Sequence, residues 1–261
     1  MKYLGIPIEK PKVAFFGFTG CEGCQLQIAN KEETLGDLLG AIEVRSFRLI
    51  SSDNHDDYDI AFVEGSITTE DEVARLKKIR ARAKILVAMG ACATLGGVHN
   101  LRSRFPIEET MRAVYGDHVI KSGPVRSVSD VVPVEIELPG CPISKAEFEW
   151  LVRHLILGIE PQFPQFPVCL ECKERMNTCV MDMGQLCLGP VTRGGCNAVC
   201  PRNRFGCWGC RGPAEEANYE SLVQIFRDRG FSERKIAERA SFFNAFCGVE
   251  AMPALEKTEA T

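Results

Sequence analysis

Eight cysteines crowd one short stretch of the chain: Cys169, Cys172, Cys179, Cys187, Cys196, Cys200, Cys207 and Cys210. Eight thiolates are what two four-cysteine metal centres need, since zinc and iron–sulfur clusters both take sulfur in fours. Disulfides are the competing use, but they belong to oxidising compartments and to small chains without a core. The simplest division is sequential, with Cys169, Cys172, Cys179 and Cys187 in one centre and Cys196, Cys200, Cys207 and Cys210 in the other. Interleaving stays open, because Cys200-Pro201 echoes the ferredoxin run whose cysteine before proline ligates the other cluster. Zinc stays open too, since C-x2-C pairs also serve that metal.

A third set lies in the N-terminal half. Thr19-Gly20-Cys21-Glu22-Gly23-Cys24, Gly90-Ala91-Cys92 and Pro139-Gly140-Cys141-Pro142 each follow an apolar run that reads as a strand. In an open parallel sheet the carboxyl ends of the strands share one edge, and sites are built there. Cys21, Cys24, Cys92 and Cys141 can therefore converge and hold zinc or a 4Fe–4S cluster. The adjoining glycines let backbone approach a bulky group. A phosphate loop is not supported, because neither GxxxxGK[ST] nor GxGxxG is complete. Three four-cysteine sites make sense as an electron relay, whereas three structural zincs would be redundant beside an ample core. The thirteenth cysteine, Cys247, sits in an apolar run and reads as a small buried hydrophobe.

The elements that must position these residues alternate in type. Strands are expected over 12–18, 44–50, 59–63, 84–89 and 131–138, the last at an edge because it contains Pro133. Helices are expected over 25–39, from the Thr69/Glu72 capping box to about Arg82, and from a Ser144 cap to about Leu157. The stretch 96–130 is irregular and reads as a connection that packs against a partner. Strand–helix alternation implies an α/β fold with a doubly wound parallel sheet. The proline-rich 161–167 is a linker, so the expected domains are 1–160 and 161–261, the second ending in helices over 214–230 and 232–246.

The 261 residues carry a net charge of −4 with both signs interspersed, which argues against a nucleic-acid surface or a polybasic membrane patch. No apolar run is long enough to span a bilayer, and the N-terminal residues show no export signal, so a cytoplasmic protein is expected. His55, His99, His118 and His154 are dispersed, and nothing forms a triad or a paired-carboxylate site. The chain alone is expected to do no bond chemistry. Glu22 and Glu64 flank the sheet edge, where they serve either proton movement or local capping. The local role is favoured, because glutamate beside a turn commonly bonds backbone. Trp208, between Cys207 and Cys210, reads as a shield against water rather than a conductor.

The combination TGCEGC, VEGSI, GACATLGG and LPGCPIS, followed by a cysteine-rich region, resembles the small subunit of nickel–iron hydrogenases over essentially the whole chain. It is most similar to the cytosolic branch of sulfhydrogenases and enzymes linked to NAD(P), viologen or deazaflavin. The resemblance implies a flavodoxin-like first domain with a proximal 4Fe–4S cluster on Cys21, Cys24, Cys92 and Cys141. That cluster would face the nickel–iron centre of a separate large subunit. It implies a distal cluster on Cys169, Cys172, Cys179 and Cys187 and a medial one on Cys196, Cys200, Cys207 and Cys210. Cys169 stands where periplasmic members have a histidine, and Cys200 can supply a fourth medial ligand, so three 4Fe–4S clusters are expected. The implied function is an oxidoreductase subunit passing electrons between the large subunit and a flavin or iron–sulfur subunit. The alternative is the related iron–sulfur subunit of a respiratory quinone-reductase complex. That family has adjacent cysteines in place of C-x2-C and lacks the eight-cysteine extension.

Overall fold

Runs that are apolar throughout form the middle of the sheet, because both faces of those strands are covered. The computed structural model describes residues 10–30, 36, 40–118, 121–243, 246, 249 and 250. Strands β1 (Lys12–Gly17), β2 (Glu43–Phe47), β3 (Ile60–Glu64), β4 (Ile85–Met89) and β5 (Ile136–Leu138) make one sheet. All pairings are parallel and the order is β2-β1-β3-β4-β5, the flavodoxin-like doubly wound order with its switch point between β1 and β3. Every residue of β3 and β4 is buried.

The chain forms two compact units, Met1–Gly96 with Val125–Gln162, and Gly97–Pro124 with Phe163–Thr261. The stretch 97–124, which the sequence division leaves in the first domain, thus goes with the second unit.

In the first unit, alternate strand residues point to opposite faces. Ala14, Ala61, Val63, Leu86 and Ala88 pack with Val73, Leu76 and Ile79 of α2 (Glu70–Arg82). On the other face Phe15 and Phe62 stack at 5.0 Å, and Phe148 of α5 (Lys145–Leu157) meets Phe62 edge-on at 5.4 Å. The expected capping box is present: Glu72 N–H donates to Thr69 Oγ1, and Thr69 N–H donates to Glu72 Oε2, both at 3.1 Å. The Thr19 hydroxyl donates to the other Glu72 oxygen at 2.9 Å, so the cap also anchors the turn that leads to Cys21. Ser144 caps α5, accepting from Glu147 N–H.

Three expectations differ in extent, the first being the strand over 44–50, which is seen as Glu43–Phe47. The helix over 25–39 is seen as α1 (Gly23–Ala29), and most of its remainder lies outside the described residues. The strand over 131–138 pairs only at 136–138, since β5 is an edge with one neighbour and Pro133 lacks the amide a ladder uses. A further helix, α3 (Gly90–Leu95), unanticipated from the sequence, follows directly on β4 and carries Cys92.

The second unit is built from short pieces. These are a 3-10 helix (Gly97–Arg104), α4 (Ile107–Tyr115), α6 (Val168–Glu174), a 3-10 turn (Gly189–Val191) and α7 (Val199–Arg202). Two longer helices close it, α8 (Tyr219–Asp228) and α9 (Glu233–Ser241), both shorter than the sequence suggested. Leu186, Leu188 and Val191 pack against Leu222, Val223 and Phe226 of α8 and Ile236 and Ala240 of α9. A smaller core places Cys172, Cys187 and Cys207 among Val168, Val180 and Ala198. Among the described residues no helix is long and apolar enough to cross a membrane.

Candidate metal centres

All twelve described cysteines are free thiols. Cys247 lies outside the described residues. The first four sit at the carboxyl ends of β1, β4 and β5. Cys24 is buried in the first turn of α1, and Cys92 lies within α3. A hydrogen bond from Ala91 N–H to Gly140 O at 2.7 Å ties the end of β4 to the end of β5, and so draws the Cys92 and Cys141 segments together. Cys21 and Cys141 are exposed, so this edge is open on one side.

The four thiols influence one another. Burial pushes Cys24 well up, reinforced by Glu64 and Cys141. Burial, then Cys141 and Cys21, pushes Cys92 up to about 12. Cys141 is raised by burial and then by Cys21. Ionising such a group as thiolates therefore calls for a cationic, sulfur-loving centre.

Glu64, at the end of β3, is 3 % exposed. Its carboxylate accepts from Cys24 N–H at 2.8 Å and from Gln25 N–H at 2.9 Å. Glu22 occupies the N-cap position of α1 in a left-handed conformation (φ 57°) and its side chain caps nothing there. Glu64 thus does from across the sheet what a cap residue normally does, which is the local role expected of it.

Gly90 shows why the turn after β4 needs glycine. Its φ is +86°, and a Cβ there would lie 2.4 Å from Cys24 Sγ. Gly90→Ala is expected to cost at least about 2 kcal/mol, combining left-handed strain with overpacking. Thermal unfolding against wild type checks this, and an unchanged midpoint would refute it.

In the second unit, Cys169 and Cys172 lie one turn apart on α6. A Cβ on Gly189 would stand 3.3 Å from Cys187 Sγ and 3.4 Å from Cys169 Sγ, so the 3-10 turn runs close beside both sulfurs. Burial, then Cys187, Cys172 and Cys179, pushes Cys169 up to about 12. Asn177 Nδ2 donates to Cys172 Sγ at 3.7 Å. Cys200 is raised by burial, then by Cys196 and Cys187. Cys207 is raised by burial, then by Cys187 and Cys210. Its N–H donates to Cys187 Sγ at 3.2 Å. Cys187 therefore borders both the 169–187 group and the 196–210 group. Among the described residues, no three cysteine, histidine or carboxylate side chains crowd as one ion would require. A cluster of several irons holds its sulfurs further apart than a single ion does.

Several supporting residues carry little or no signal in the sequence. Glu171, between Cys169 and Cys172, accepts from Gly195 and Ala198 N–H at 2.7 and 3.0 Å and so orders the loop bearing Cys196. Arg211 is buried next to Cys210, and its Nε donates to Gly194 O at 2.6 Å. Adjacency to cysteine could have flagged these two. Arg239 stacks on Trp208 from far downstream, and nothing in the sequence links the two.

Residues 21–155 match the family model described as NADH ubiquinone oxidoreductase, 20 Kd subunit. Sulfhydrogenase 2 subunit delta of Pyrococcus furiosus is 37% identical over 221 residues, covering 83% of this chain and 92% of that protein. A solved NAD+-reducing [NiFe]-hydrogenase in the H2-reduced state has a chain that is 28% identical with a TM-score of 0.54, covering 59% of this chain and 96% of that one. The chain belongs to this family, as a nickel–iron hydrogenase small subunit. The F420-non-reducing hydrogenase vhu of Methanococcus voltae also has a similar chain, 27% identical over 91% of this small subunit and 95% of its own length. The small subunit is thus an electron-transfer part of an oxidoreductase complex. The quinone-reductase alternative is not favoured. The family model stops before the eight-cysteine stretch, whereas the hydrogenase relatives continue through most of the chain.

Proposed function

We propose that the chain holds three 4Fe–4S clusters and relays electrons in the cytoplasm, between the nickel–iron site of a large subunit and a flavin- or iron–sulfur-bearing subunit. The proximal cluster is assigned to Cys21, Cys24, Cys92 and Cys141, the distal to Cys169, Cys172, Cys179 and Cys187, and the medial to Cys196, Cys200, Cys207 and Cys210. Clusters of this kind, when bound, take up and release single electrons without breaking a bond.

The observation that carries the reading is the gathering of four free, mutually interacting thiols at one edge of the sheet. Sulfur-only donor sets suit iron–sulfur chemistry. The open side at Cys21 and Cys141 supports a large subunit covering that edge. In the second unit, the N–H groups of Cys207 and Gly189 point at Cys187 Sγ and would stabilise negative charge on sulfur. The solved relative reduces NAD+, which accepts two electrons as hydride. A flavin on a partner chain would join that step to one-electron carriers.

Metal analysis of the anaerobically purified complex tests the assignment. About twelve irons per chain are expected, with matching acid-labile sulfide and EPR signals after dithionite reduction. Stoichiometric zinc with little sulfide would overturn it.

A further inference from the structure

Arg239, on α9, places its guanidinium 3.5 Å from the centre of the Trp208 ring, and Trp208 in turn packs on Phe242 at 4.8 Å. Its Nη1 donates to the carbonyl oxygens of Gly206 and Cys207, each at 3.4 Å. The charge is thereby held over the backbone that carries Cys207. Cation–π stacking and two carbonyl acceptors leave a guanidinium fully charged while fixing where it points.

The neighbours of this cation are unusual. Exposed arginines in the same part of the fold have carboxylate partners: Arg227 pairs with Glu233 at 2.7 Å and Arg234 with Glu238 at 2.9 Å. Among the described residues no carboxylate forms an ion pair with Arg239. Its polar contacts are instead the carbonyl of Cys207 itself and that of Gly206 just before it. Among the described residues, this half-buried cation thus has no carboxylate partner and is held against the backbone of Gly206 and Cys207.

We propose that Arg239 is a positioning charge that raises the reduction potential of the cluster assigned to Cys196, Cys200, Cys207 and Cys210. The proposal rests on the relay reading above. A reduced cluster carries one more negative charge than the oxidised one, so a fixed cation nearby favours reduction. The half-buried site screens the charge less than open solvent would. Trp208 then has a definite part: its ring supplies the face that aims the guanidinium.

EPR-monitored redox titration of the full complex tests this, with Arg239→Gln, Arg239→Met and Arg239→Lys beside wild type. Both neutral variants are expected to lower the reduced-to-oxidised ratio of one C-terminal cluster three- to tenfold at fixed potential, a negative shift of about 28 to 59 mV for one electron. Arg239→Lys keeps the charge and should stay near wild type. The Cys21, Cys24, Cys92 and Cys141 cluster should not move in any variant. Potential is an intensive quantity, so it can be read on the loaded fraction even where a variant assembles poorly. If both neutral variants keep wild-type potentials, or if lysine shifts as far as glutamine, the proposal is wrong while the relay stands. Wild-type protein without iron or sulfide would instead sink the relay reading itself.

Discussion

Cys92→Ser is expected to stop hydrogen-dependent viologen reduction by the complex. Serine offers a hard oxygen in place of a soft sulfur, and iron–sulfur centres discriminate strongly between them. Loss of an outer-shell partner of a metal ligand commonly costs about 10–100-fold, so loss of a ligand should cost at least that. About four of roughly twelve irons should be missing per chain. The sheet should survive, because Cys92 lies in α3 beyond the end of β4 and the core strands do not depend on its thiol. Hydrogen–deuterium exchange catalysed by the large subunit, which sends no net electrons outward, should persist. That pair of readouts separates a broken relay from a misassembled complex. A Cys92→Ser complex with full iron and wild-type viologen reduction would refute the assignment of this thiol.

The convergence of the first four cysteines was legible because each follows a strand, and a parallel sheet brings strand ends to one edge whatever their distance in sequence. The strands themselves were legible as apolar runs, and Thr69 with Glu72 announced α2. The limits of β5 were not, because VVPVEIEL stays apolar beyond the point where backbone pairing ends. The helix α3 was hidden for a related reason. It is six residues long and opens on a glycine at positive φ, which reads as a turn. The second unit offers no such guide. Among its described residues no named strand directs the eight thiols, and Cys187 borders both groups, so spacing alone could not divide them. Arg239 reaches Trp208 through tertiary packing of α9, a contact that no local pattern encodes.

The second large effect is expected at Glu64. Its carboxylate bridges β3 to the first turn of α1 through two charge-assisted hydrogen bonds, from Cys24 N–H and Gln25 N–H. A side chain at the N-cap would normally meet such donors, but Glu22 in its left-handed conformation makes no side-chain cap. Glu64→Leu would leave both amides without this acceptor in a buried place. Each such loss costs about 1–3 kcal/mol, so roughly 2–6 kcal/mol is expected, or a fall in Tm of about 4–24 °C for a chain of this size. Glu64→Gln keeps one carbonyl acceptor and turns an N–H2 toward the other donor, so about half that loss is expected. The consequence for function runs through Cys24: its amide is one of the two donors, and Gly90 leaves no slack beside its sulfur. Iron retention should therefore fall in the same order as Tm, wild type above Glu64→Gln above Glu64→Leu. If Glu64→Leu unfolds at the wild-type temperature with its iron intact, the carboxylate is not what holds α1 and Cys24 in place.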